Sequence, residues 1–144
     1  MNKIIIGSDH AGFELKGKIS LYLKQLMYDI TDLGVYSEKP VDYPLIGRKA
    51  AEKVAKTNSI GILVCGSGIG MCMVANKIKG VRAALCYNEE TAKVARKHNN
   101  ANILCLGART ESAKNYKEII KTFLKTDFSK EERHKRRVKQ IDAL

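Results

Sequence analysis

Gly61-Ile62-Leu63-Val64-Cys65-Gly66-Ser67-Gly68-Ile69-Gly70 runs from an apolar stretch into a cysteine and then into a turn with glycine at every second place. An apolar run without polar alternation is the pattern of a strand buried on both faces. A helix-capable segment follows over 71–79. The glycines let the backbone fold tightly and aim successive N–H groups at one point. A helix start adds partial positive charge there. Such a turn would hold an anion or a developing oxyanion, with Cys65 on its rim.

Outward from this unit, strand and helix patterns alternate. Strands are predicted over 3–7, 28–33, 59–64, 81–86 and 102–106. Helices are predicted over 13–27 (Phe13, Leu15, Ile19, Leu21, Leu23 and Leu26 recurring), 44–56, 71–79, 89–97, 112–125 and 130–142. Pro44 suits a first helical turn, and Glu89 and Glu90 precede the lysines and arginine of their helix in the direction its dipole favours. The alternation predicts one α/β domain over 1–144, a doubly wound, three-layer αβα sandwich around a five-stranded parallel sheet of Rossmann-like type. Ligands of such sheets bind outside the carboxyl ends of the strands. Those ends carry Asp9 and His10, Cys65 with its turn, Cys86-Tyr87-Asn88, and Arg109.

Bulk properties narrow the classes. The chain has 144 residues, 44% of them hydrophobic and 28% charged, as in ordinary globular domains. The apolar run at residues 4–6 is too short for a signal peptide, and no apolar segment approaches the ~20 residues a membrane span needs. The cytoplasm is the expected location. Four cysteines form no CxxC pair and match no zinc spacing, so no metal is expected. The net charge of +11 is spread along the helices, and residues 130–144 hold only six Lys/Arg against three Asp/Glu. Arg133 to Arg137 form a basic patch without aromatic interleaving, and no nucleic-acid motif accompanies it. Small anions suit such diffuse charge, and neither nucleic acid nor membrane is an expected partner.

The glycine turn is neither of the two familiar phosphate loops. It reads GxGxG, with Met71 where GxGxxG would need its last glycine, and no Gly-Lys-Ser/Thr follows. A turn serving packing alone is the bland alternative. At a strand end beside a helix start, the Cys65 thiolate would be favoured, as nucleophile or as general base, with Ser67 in reach. Asp9 could cap a helix or serve function; His10 sits at the predicted ligand edge. His98 precedes the fifth strand, so it lies at the opposite edge of the sheet from Cys65, roughly 15 Å away. If both act, His98 works on the Cys65 of a second subunit. Arg133 and Arg137, four apart, share a helical face and could grip one anion, or simply be solvated.

Gly7-Ser8-Asp9-His10-Ala11-Gly12-Phe13-Glu14-Leu15-Lys16, Val41-Asp42-Tyr43-Pro44, Cys65 to Gly70 with Ala75-Asn76-Lys77, and His98-Asn99 through Gly107-Ala108-Arg109 occur in that order. Together they resemble the B-type ribose-5-phosphate isomerases, in the family that also holds galactose-6-phosphate and allose-6-phosphate isomerases. The resemblance covers essentially the whole chain, including Arg133 to Arg137. It implies a cofactor-free aldose–ketose isomerase of the pentose phosphate pathway, acting through an enediolate. Cys65 resembles the base that moves the proton between carbons 1 and 2, assisted by Ser67. The N–H groups of Gly66, Ser67, Gly68, Ile69 and Gly70 would hold the enediolate oxygen. His98 resembles the ring-opening acid/base, Asp9 would handle a sugar hydroxyl, and Asn99 would bind substrate. His10, Arg109, Arg133 and Arg137 resemble the phosphate grip, and Tyr43 would line the pocket. Ser67 stands where other members have threonine. The family's dimers or tetramers share each site between two subunits, which places the C-terminal helix, about 130–142, at the subunit interface. A 6-phosphohexose is the alternative substrate, and a non-catalytic anion- or nucleic-acid-binding domain the alternative class.

Overall fold

The computed structural model describes residues 3–144. Its elements follow as β1 (Lys3–Ser8), α1 (Phe13–Gln25), β2 (Asp29–Asp32), α2 (Tyr43–Thr57), β3 (Ile60–Cys65), α3 (Ile69–Ala75), β4 (Ala83–Leu85), α4 (Glu89–Asn99) and β5 (Ile103–Gly107). A single 3-10 turn (Glu111–Ala113), α5 (Tyr116–Lys125) and α6 (Glu132–Asp142) complete the chain. The strands form one sheet in the order β2-β1-β3-β5-β4, every pair parallel. This is the expected αβα sandwich. The chain leaves β1 for β2 on one side and returns to β3 on the other, so the order reverses between β1 and β3. Asp9 follows the last residue of β1, and Cys65 is the last residue of β3.

The sheet is buried on both faces, as its apolar runs require. Ile4, Ile6, Ile62, Val64, Leu104 and Leu106 pack under α1, α4 and α5, with Ile19, Leu23, Ala92, Ile119, Ile120 and Phe123. Ile5, Leu63, Cys65, Ile103 and Cys105 pack under α2 and α3, with Ala50, Ala51, Val54, Met71 and Ala75. The side chain of Cys65 therefore belongs to the α2–α3 face.

Three local expectations are corrected. The helix after the glycine turn starts at Ile69 rather than Met71 and ends at Ala75 rather than Lys79. The turn is tighter than the sequence suggested, and Gly68 takes φ +79°, a conformation only glycine adopts freely. The helix expected over 112–125 is broken, with the 3-10 turn separated from α5. In α1 the inward stripe is Leu15, Lys16, Ile19 and Leu23, while Leu21 and Leu26 are 64% and 41% exposed. Lys16, which the apolar periodicity left out, completes the inward stripe in place of Leu21 and Leu26.

Candidate active site

Cys65 closes β3 and is 5% exposed. The N–H of Gly68 donates to its Sγ at 3.1 Å, so the turn folds back and pins the sulfur. The N–H of Ile69 donates to Ser67 Oγ at 3.2 Å, which fixes the hydroxyl beside it. Two of the five N–H groups expected to face an oxyanion are thus occupied internally. Those of Gly66, Ser67, Gly70 and Met71 have no protein acceptor among the described residues, the usual condition of a helix's first turn.

The loops on either side close around this turn. The Asp9 N–H reaches the Val64 carbonyl at 3.2 Å, and Asp9 Oδ1 accepts the Gly12 N–H at 2.9 Å. Gly12 is needed there, since an added Cβ would lie 2.6 Å from the Val64 oxygen. Asp9 steadies its loop through one oxygen, and its Oδ2 has no protein partner among the described residues. The capping reading of Asp9 is corrected: the N-cap of α1 is Gly12, no side chain caps that helix, and Asp9 braces the loop ahead of it. His10 Nδ1 accepts the Val41 N–H at 3.2 Å, so the neutral ring carries its proton on Nε2 and presents a donor outward. The Arg109 backbone N–H bonds the Gly66 carbonyl at 2.9 Å. Its side chain passes over Gly66, where an added Cβ would meet Arg109 Cδ and Nη1 at 3.7 Å. The Tyr43 ring covers Gly70, 2.6 Å from where a Cβ would stand. Asp9, His10, Tyr43, Cys65 to Gly70, and Arg109 therefore share one edge.

Electrostatics singles out a different thiol. Cys72 on α3 is drawn down to about 7, chiefly by its hydrogen bond with Cys105. Cys105, fully buried, is pushed up by that same bond and by burial, and burial pushes Cys86 up to about 12. The Cys72 sulfur faces the Ala83 carbonyl at 3.5 Å and the Asn76 amide at 3.6 Å. It is engaged with the β4 backbone, away from the mouth of the turn, and position favours Cys65.

The remaining expected residues lie at the other edge. α4 runs back against the strands and ends with His98 and Asn99, just before β5 starts beside Gly61. The four steps along the strand from Gly61 to Cys65 span about 13 Å. α6 lies at that same end: Arg82, which precedes β4, holds Asp142 at 2.7 Å, and the Ser129 N–H bonds the Lys97 carbonyl at 3.0 Å. Arg133 and Arg137 are exposed on α6, and Arg133 pairs with Glu131 at 3.0 Å. The expected phosphate grip is thus divided within one chain, with His10 and Arg109 beside Cys65 and the two α6 arginines beside His98.

Two further groups stand outside the expected site residues. Lys16, 2% exposed, bonds both Asp32 oxygens at 2.7 and 2.8 Å and the Val35 carbonyl at 2.6 Å. Gly34 and Val35 in turn hold Ser8 by backbone bonds of 2.8 and 2.9 Å, so this ion pair fixes the end of β1 just before Asp9. Its signal was readable in outline, because Lys16, Ile19 and Leu23 fall on one helical face. The second is His134, 4% exposed, whose ring lies against that of His98.

Comparison with known proteins agrees with this fold. The family model described as Ribose/Galactose Isomerase matches residues 4–141. The chain is 41% identical to ribose-5-phosphate isomerase B of Mycolicibacterium paratuberculosis over 138 residues, 94% of this chain and 87% of that protein. Among solved structures, type B ribose 5-phosphate isomerase of Trypanosoma brucei superimposes with a TM-score of 0.94 at 44% identity, covering 99% of this chain and 98% of that one. Ribose-5-phosphate isomerase B of Mycoplasma genitalium, solved with bound ribulose 5-phosphate, gives a TM-score of 0.92 at 44% identity, covering 98% and 94%.

Proposed function

The chain belongs to the ribose/galactose isomerase family, and from that premise we propose that it interconverts ribose 5-phosphate and ribulose 5-phosphate in the cytoplasm. The observation that carries the reaction type is the pinned Cys65 sulfur beneath unpartnered N–H groups. A carbon acid needs a positioned base and donors for the oxyanion it leaves, and both stand within one turn.

The cyclic sugar binds with its phosphate between His10 and Arg109 of one chain and Arg133 and Arg137 of a second copy. Held far from the chemistry, the phosphate contributes orientation. His98 of the second copy moves the proton that opens the furanose, with Asn99 of that copy on the substrate and Asp9 Oδ2 on a sugar hydroxyl. The Cys65 thiolate takes the proton from carbon 2, leaving an enediolate, and returns it to carbon 1. The hydroxyl proton passes from O2 to O1 beside Ser67. N–H groups of Gly66, Ser67 and Gly70 hold the oxygen as its charge develops. This scheme requires at least a second copy of the chain, because His98 and Cys65 of one chain stand at opposite sheet edges.

The test is kcat/KM on ribose 5-phosphate, allose 6-phosphate and galactose 6-phosphate. The pentose phosphate is expected to lead, and activity confined to a hexose phosphate overturns the assignment.

A further inference from the structure

His98 has a feature unusual for a group assigned to proton transfer: neither ring nitrogen has a hydrogen-bond partner among the described residues. A catalytic imidazole is normally oriented by a bond to its second nitrogen. Here the ring lies against another ring. The His98 and His134 centroids are 4.4 Å apart, with planes tilted by 32°.

His134 is itself held firmly. It is 4% exposed, and its Nδ1 lies 2.7 Å from Ser129 Oγ. Ser129 in turn donates its N–H to the Lys97 carbonyl at 3.0 Å, one residue before His98. Hydrogen bonds and the ring stack therefore tie the end of α4, the 127–131 segment and α6 together around one imidazole pair. Burial, followed by the facing His98, holds the His134 pKa below the ordinary histidine range; Arg133 and Arg137 act in the same sense and Glu131 opposes them. His134 is then neutral near pH 7, and His98 can take a proton without facing a second imidazolium.

We propose that His134 is a positioning residue for ring opening, the flat, neutral surface that orients His98, with Ser129 as its anchor. This rests on the ring-opening assignment of His98 above. A residue that acts only there affects the cyclic substrate and spares chemistry that begins from an open chain.

Ribulose 5-phosphate cannot form the furanose of the aldose, and exchange of its carbon-1 hydrogen with D2O needs only the base. The His134→Ala enzyme is expected to lose about 10- to 10²-fold in kcat on ribose 5-phosphate, while KM and the exchange rate on ribulose 5-phosphate stay within about threefold. His134→Phe keeps a flat ring and is expected to restore the kcat to within about threefold of wild type. Because removing a buried ring can cost the fold, Ser129→Ala tests the same anchor, with an expected loss of about three- to fivefold confined to the aldose. Equal loss of both rates in Ser129→Ala, or no loss in His134→Ala, overturns the proposal. His98→Ala separates it from its premise. If His98→Ala fails to split the two rates, the ring-opening assignment falls and the proposal with it. If His98→Ala splits them and neither His134→Ala nor Ser129→Ala does, only the positioning role falls.

Discussion

The two edges of the sheet hold their working groups by different means. At the Cys65 edge the holding is done by backbone: Gly68 N–H on the sulfur, Ile69 N–H on Ser67, Val41 N–H on His10, Gly12 N–H on Asp9. At the His98 edge it is done by side chains of α4, α6 and the segment leading into α6: a ring on a ring, a serine on that ring, Glu131 on Arg133. Backbone donors cannot drift without unfolding the loop that carries them, which suits a base and an oxyanion site. Exposed arginines on a helix are adjustable, which suits the part proposed for them in gripping a substrate's phosphate across a subunit boundary. Each edge lacks what the other has.

The sharpest way to break this division is to remove one edge at a time. Cys65→Ala is expected to reduce kcat by about 10²–10⁴ in both directions and to abolish carbon-1 exchange. Cys72→Ser, the control suggested by the low pKa of that thiol, is expected to leave exchange nearly intact. Loss of exchange in Cys72→Ser with retention in Cys65→Ala moves the base to α3. Mixing Cys65→Ala with His98→Ala chains tests the sharing directly. Mixed dimers contain one site with both groups intact, so activity above either parent is expected. None at all puts Cys65 and His98 to work within one chain.

What was legible in the sequence follows the same division. The buried strands could be read because residues such as Ile4 to Ile6 and Ile62 to Val64 leave no polar face. The Cys65 edge was legible because short-range backbone geometry makes it, and glycine spacing betrays tight turns. The separation of His98 from Cys65 followed from chain direction alone. The His98–His134 stack did not, because it depends on how α6 crosses α4, a packing angle that no local pattern encodes. Lys16 was missed for a related reason: its partner Asp32 lies sixteen residues away on β2, and one lysine among several in α1 reads as solvated.

The divided phosphate grip offers a smaller effect and a finer comparison. Hydrogen bonds to charged groups are worth about 1.5–3 kcal/mol, so Arg109→Gln and Arg137→Gln are each expected to raise KM by about 10- to 10²-fold with kcat changed less. Agreement between the two, from opposite edges of one chain, is expected only if they grip the same phosphate across a subunit boundary. In mixed dimers, Arg109→Gln placed with Arg137→Gln should leave one site fully armed and one lacking both. A uniform high-KM population breaks that picture. The Glu131–Arg133 pair is exposed, and Glu131→Gln is expected to move KM by less than about threefold.

The smallest effect concerns pH and the imidazole pair alone. The pKa of His134 is lowered in the folded chain, by burial first and then by His98, with Arg133 and Arg137 adding to this and Glu131 opposing it. In the unfolded chain it returns to about 6.5. As pH falls through that value the unfolded state takes up a proton that the folded state resists, so stability declines with falling pH until folded His134 is protonated too. His134→Phe has no such proton. The urea midpoint of wild type, at fixed protein concentration, is expected to fall relative to that of His134→Phe between about pH 7.5 and about pH 5.5. Repeating the pair in a His98→Ala background removes the facing ring, and the divergence is expected to narrow but persist, because burial is the larger cause. Parallel midpoints across the range mean that His134 titrates as it would in water. The His98 edge would then be as loosely held as its exposed arginines, and the contrast with the backbone-built Cys65 edge would extend to the imidazole itself.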